Sequence, residues 1–213
     1  LQPPAADNEK GYFENVRIVQ FHDRVLERFG SRWDDPLPLG EACFRSSAAR
    51  AATQELAALL HEEFGDRPLV LAKDPRMCRL MPLWTDALSH LNRRIVALHP
   101  LRHPFEVAAS LQRRDSLSRA HALALWLQHV LPAERATRGL PRCFTLYDEL
   151  LRDWRSMVRR IGDELSLAWP RECVRAEDEI DAFLTAELRH HRAAQDDLAA
   201  HDALQGLCAR AWE

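Results

Sequence analysis

At 213 residues with 46% hydrophobic side chains, the chain is long enough for one ordinary domain with a substantial core. Its 29 basic residues against 32 acidic ones leave a net charge of -3, which excludes a bulk electrostatic pull toward nucleic acid or anionic membrane. Any anion recognition must be local, and no apolar run approaches the roughly 20 residues of a membrane-spanning helix.

Residues 12–29 carry Val16, Val19, Phe21, Val25, Leu26 and Phe29 at helical spacing, and Gly30 ends the pattern. Residues 31–39 hold Trp33, Pro36 and Pro38 and read as a loop. Residues 46–64 are alanine-rich and periodic, which predicts a helix capped by Ser46 or Ser47. After a break at 65–68, Leu69, Val70, Leu71 and Ala72 form an all-apolar run, the pattern of a strand buried on both faces. Lys73, Asp74, Pro75 and Arg76 follow as a loop, then a helix over 77–91 containing Pro82. Residues 94–98 predict a second strand, 104–114 and 118–138 two helices, and 142–147 a third strand. Residues 148–165 are amphipathic through Leu150, Leu151, Trp154, Met157, Val158, Ile161 and Leu165, and helices over 180–191 and 199–212 close the chain.

Strand and helix in alternation predict an α/β fold with a parallel sheet covered by helices. Such sheets bind ligands at the carboxyl ends of their strands. Three polar clusters fall there: the 73–76 loop, Arg102 with its helix, and Tyr147 with Asp148 and Glu149. Arg102 sits in the turn before a helix that starts near Pro104, and Ser110 follows eight positions later. A helix N-terminus favours anions through its free N–H groups and its dipole. An arginine beside it adds a fork of donors suited to phosphate, and proline fits the first turn because its missing N–H costs nothing there. Five cysteines are widely spaced and odd in number, which predicts buried free thiols and a reducing, cytoplasmic setting.

These clusters, in this order, resemble the sulfotransferases that use the sulfate donor PAPS, from about Gly11 to Arg192. The match is strongest from Arg102 through Ser110, where the family holds the 3′-phosphate of the nucleotide with an arginine and a serine at this spacing. The resemblance implies a single domain with a three-layer, P-loop-like parallel sheet, and it places Tyr147 beside the nucleotide. It also sets the 73–76 loop where cytosolic members carry a lysine and then a catalytic histidine; here position 75 is proline. Gly11-Tyr12-Phe13-Glu14-Asn15 and Leu188-Arg189-His190-His191-Arg192 look like bacterial members. Members open with a strand and a turn that cradles the 5′-phosphosulfate. No Gly-x-x-Arg-Ser-Gly-Thr segment occurs in this chain, and it is expected upstream of Leu1.

Sulfuryl transfer resembles phosphoryl transfer, an in-line attack with charge building on the leaving oxygen. On that chemistry the resemblance implies Arg102 and Ser110 as the phosphate clamp, Tyr147 at the adenine, and Lys73 at the transferring group. Asp74 is the first choice as general base and Glu14 its rival. Arg76 is expected to pair with Glu14 or Asp74. Phe13, Trp33 and Trp84 are candidates for an acceptor pocket, although tryptophans at helical spacing usually pack the core. His190 and His191 are expected at the surface. The chemistry requires no metal, and the acceptor is a small molecule or carbohydrate bearing a hydroxyl or amine. The alternatives are another P-loop-type transferase, such as a small-molecule kinase with Asp74 at its magnesium, or a noncatalytic module that binds nucleotide or a partner.

Overall fold

A computed structural model of the chain describes residues 1–3, 11–184 and 203–212. The chain divides into two compact units, Leu1–Ile95 with Leu127–Ala136, and Val96–Trp126 with Thr137–Glu213.

The first unit contains α1 (Val16–Arg28), α2 (Glu41–Arg45), α3 (Ser47–Phe64) and α4 (Met77–His90). Asn15 starts α1 by accepting from the N–H groups of Arg17 and Ile18 at 2.9 and 3.2 Å. Ser46 starts α3 by accepting from Ala49 N–H at 3.1 Å. Gly30, at φ 70°, turns the chain out of α1 in a conformation that side-chained residues rarely adopt. Ile18, Phe21, Val25 and Leu26 pack with Leu56, Leu59 and Leu60 of α3 and with Leu80, Leu83 and Trp84 of α4. Arg79, itself buried, fixes the proline-rich loop by donating to the carbonyls of Arg32 and Leu37 at 2.5 and 2.8 Å.

The second unit holds β1 (Ala97–Leu101) and β2 (Arg142–Leu146), paired in parallel from Ala97 opposite Arg142 to Leu101 opposite Leu146. Between them run α5 (Pro104–Asp115) and α6 (Arg119–Ala136), the latter divided between the units after Trp126. Beyond β2 come α7 (Tyr147–Arg152), α8 (Trp154–Leu165), a 3-10 turn (Cys173–Ala176), α9 (Glu177–Phe183) and α10 (Ala203–Trp212). Cys143 of β2 packs with Met157, Ile161 and Leu165 of α8.

The α/β reading therefore holds for a helix-rich chain with a parallel pair of strands. Among the described residues the sheet has two strands where the sequence predicts three. Residues 69–72 belong to no strand or helix. Leu69, Val70 and Leu71 are 37%, 37% and 82% exposed, and only Ala72 packs against the helical core. A strand needs a partner's hydrogen-bonding edge, and a short apolar run carries no information about one. The helix expected over 148–165 breaks at Asp153, whose side chain caps α8 by accepting from Ser156 N–H at 3.0 Å. Local capping by aspartate here outcompetes helix continuation. Of the helix expected over 180–191, residues 180–183 fall within α9; residues 185–202, with His190 and His191, lie outside the described residues.

These burials separate core from surface. Phe21→Ala should cost about 3–5 kcal/mol in urea unfolding, whereas Leu71→Ser should change stability by no more than about 0.5 kcal/mol. A large loss at Leu71 would show that the 69–72 segment is covered in solution.

Candidate functional site

The carboxyl ends of β1 and β2 open into a hollow lined by Pro100, Leu101, Arg102, Thr145, Leu146, Tyr147 and Leu150. Its volume is about 110 Å3. Small-molecule pockets usually span roughly 300–1,000 Å3, so this hollow suits one charged group or ring edge, not a whole nucleotide.

Arg102 is the cation of that hollow. Its Nε donates to Glu106 Oε2 at 2.9 Å, one turn into α5. The Arg102 side chain is 31% exposed, and that of Glu106 is 1% exposed. The guanidinium carbon lies 4.9 Å from the centre of the Tyr147 ring, a cation–π stack. Stacking uses the guanidinium face and leaves its edge donors free. Among the described residues the two terminal nitrogens of Arg102 make no hydrogen bond.

The backbone around Arg102 is equally constrained. Trp126 Nε1 donates to the Arg102 carbonyl at 3.1 Å. His103 caps α5 by accepting from Phe105 N–H at 3.3 Å, and Pro104 occupies the first turn as the sequence predicts. Ser110 is half-buried on α5, one turn beyond Glu106 and on the same face. Its hydroxyl makes no hydrogen bond among the described residues, and it does not line the hollow.

The other three candidates lie in the first unit and separate into two clusters. Lys73 Nζ donates to Glu14 Oε1 at 2.6 Å and to the Tyr12 carbonyl at 3.1 Å. Glu14 is buried, while Lys73 is half-exposed. Asp74 instead turns into the helical core. Its Oδ2 lies 2.8 Å from His22 Nδ1, and its Oδ1 accepts from Arg76 N–H at 2.9 Å and from Arg76 Nη1 at 3.1 Å. Arg76 also donates from Nε to Asp23 at 2.6 Å, so the arginine pairs with Asp74, one of its two expected partners.

The tautomer of His22 follows from its neighbours. Trp84 Nε1 lies 2.9 Å from His22 Nε2, and an indole N–H only donates. Nε2 is therefore the acceptor, and Nδ1 carries the proton that goes to Asp74. Burial by itself would raise the Asp74 carboxyl, but the His22 hydrogen bond and the Arg76 donors outweigh it and hold the group below its ordinary 3.8. A carboxylate so occupied is a weak proton acceptor.

The geometry thus brings Arg102 and Tyr147 into one hollow, joins Lys73 to Glu14, and gives Asp74 to a buried network. Trp84 belongs to that network and the core, and Phe13 is 52% exposed. Sequence reasoning missed Glu106 and His22. Glu106 was signalled by its position four residues after Arg102; His22 by its place on the buried stripe of Ile18, Phe21 and Val25. The five cysteines are free thiols, and burial pushes Cys78 and Cys143 up to about 11, away from the reactive thiolate form. Among the described residues no three metal-ligating side chains cluster, and no helix is long and apolar enough to cross a membrane. Comparison with protein-family models, curated proteins and solved structures returned no match to this chain.

Asp74→Ala should cost about 1–3 kcal/mol, because it leaves the His22 Nδ1–H buried without an acceptor. The acid dependence has a defined sign. The folded carboxyl titrates below the unfolded one, so its contribution is complete above about pH 4 and fades as pH falls through the lower folded value. Denaturant midpoints measured from neutral pH into the acid range should fall more steeply for the wild type than for Asp74→Asn. Parallel curves would refute the assignment.

Proposed function

We propose that this chain is a PAPS-dependent sulfotransferase domain, cytoplasmic in setting, that sulfates a hydroxyl or amine on a small-molecule or carbohydrate acceptor. One observation carries the reading: a tethered, ring-stacked arginine holds terminal donors, unpaired among the described residues, at a hollow beyond the ends of two parallel strands. The motif that resembles the family supplies that arginine, and the size of the hollow fits a single phosphate or the edge of a base. The finer architecture that goes with the proposal is a three-layer, P-loop-like sheet.

When bound, PAPS supplies the sulfuryl group: the acceptor atom bonds to sulfur, the bond from sulfur to the bridging phosphate oxygen breaks, and adenosine 3′,5′-bisphosphate departs. Arg102 grips the 3′-phosphate through its terminal nitrogens, and Tyr147 presents its ring beside the adenine. The resemblance adds the hydroxyl of Ser110, which lies outside the lining of the hollow, as a further donor. For the first unit, the resemblance assigns Lys73 the charge that develops on the leaving oxygen. Glu14 takes the acceptor's proton, in preference to Asp74, whose oxygens already hold three donors. That same occupancy disfavours the kinase alternative, which needs Asp74 free for magnesium. The free thiols suit a reducing compartment.

Arg102→Ala should weaken binding of adenosine 3′,5′-bisphosphate by about 1.5–3 kcal/mol in titration calorimetry, the worth of a hydrogen bond to a charged group. Unchanged affinity in a variant with the wild-type circular dichroism spectrum overturns the reading. Binding lost with Arg102→Ala, but no sulfate transfer to any acceptor class, would leave a nucleotide-binding module.

A further inference from the structure

We infer that Glu106 is a positioning residue that aims Arg102 at its anion. The inference rests on the anion-binding role proposed for Arg102. A free arginine samples many rotamers, and a ligand must pay the entropy of selecting one. Here a buried carboxylate, 1% exposed, holds Nε at 2.9 Å, and the Tyr147 ring supports the face. With Nε engaged on one edge, the remaining donors are the two terminal nitrogens, the end-on fork that pairs with two oxygens of one anion.

The carboxylate has an opposing effect. A negative charge behind the guanidinium weakens the field that attracts an anion. Positioning and charge therefore predict opposite outcomes for two conservative variants. Glu106→Gln keeps the reach of the side chain and an acceptor oxygen for Nε, while removing the charge. Glu106→Asp keeps the charge and withdraws the acceptor by one methylene.

The test is calorimetric titration of adenosine 3′,5′-bisphosphate into the full chain and its variants, at a temperature where circular dichroism shows each folded. Positioning predicts that Glu106→Gln binds within about threefold of wild type, while Glu106→Asp and Glu106→Ala bind about tenfold or more weakly. Wild-type affinity in Glu106→Asp overturns the inference, as does an equal loss in Glu106→Gln and Glu106→Ala. If Glu106→Ala does not fold, the Gln and Asp pair decides alone. A role confined to stability would shift the melting temperature of these variants and leave the affinity of the folded protein unchanged. Arg102→Ala separates the two proposals. Wild-type affinity in that variant removes the functional reading itself, whereas a loss there beside unaltered Glu106 variants removes only the positioning role.

Discussion

A carboxylate taken out of water must be given donors, and this constraint organises the chemistry of the chain. The buried carboxylates among the described residues are Glu14, Asp74 and Glu106. Leaving such a charge unpaired costs several kcal/mol, so each one fixes the conformation of a nearby donor. Glu14 holds Lys73, Asp74 holds His22 and Arg76, and Glu106 holds Arg102. Every candidate cation of the chain is thus positioned by an acid that the fold has already desolvated.

The three pairs differ in what they leave available. Asp74 and His22 are both fully enclosed, and every polar atom of the imidazole is committed, one nitrogen to Asp74 and the other to Trp84. That network stitches α1, the 74–76 turn and α4 together, and it has nothing left to offer a ligand. Lys73 is half-exposed with two of its three ammonium protons engaged. Arg102 is part-exposed, with one donor position engaged and its face stacked. The order of commitment runs from structural cement at Asp74 to an available fork at Arg102. The proposed binding role falls to the pair that keeps donors in reserve.

What the sequence revealed follows the range of the interactions involved. Helices were legible where periodicity and caps agree, as at Ser46 and the 47–64 stretch, because both signals are local. The turn from β1 into α5 was legible because Pro104 and Arg102 mark it from within a few residues. The 69–72 run misled because strand formation depends on a distant partner, and an apolar composition is shared by paired and unpaired segments. Residue types placed Lys73 and Asp74 side by side in one loop. Their divergence into separate networks depends on Glu14 and His22, which are about 50 to 60 positions away. Pairings at that separation leave no periodic trace, and only the buried face of α1 hinted that His22 would face the core.

Stiffness at the Arg102 turn comes from four independent sources. Trp126 fixes its carbonyl, His103 caps the next helix, Pro104 locks the first helical torsion, and Glu106 holds the side chain. Each acts on a different degree of freedom, so the loss of one leaves the others in place. Ordering a backbone residue costs roughly 1–2 kcal/mol, and a long side chain up to about 2 kcal/mol more. In this turn that cost is met during folding, by burial and hydrogen bonding within the second unit. On the proposed function, a ligand arriving at the hollow would meet an arginine already immobilised, and its binding energy would not be consumed in ordering the site. A guanidinium on an unconstrained surface loop, with the same charge and the same sequence neighbours, would lack that advantage. The distinction between an incidental basic residue and a recognition element lies in this rigidity, more than in the charge itself.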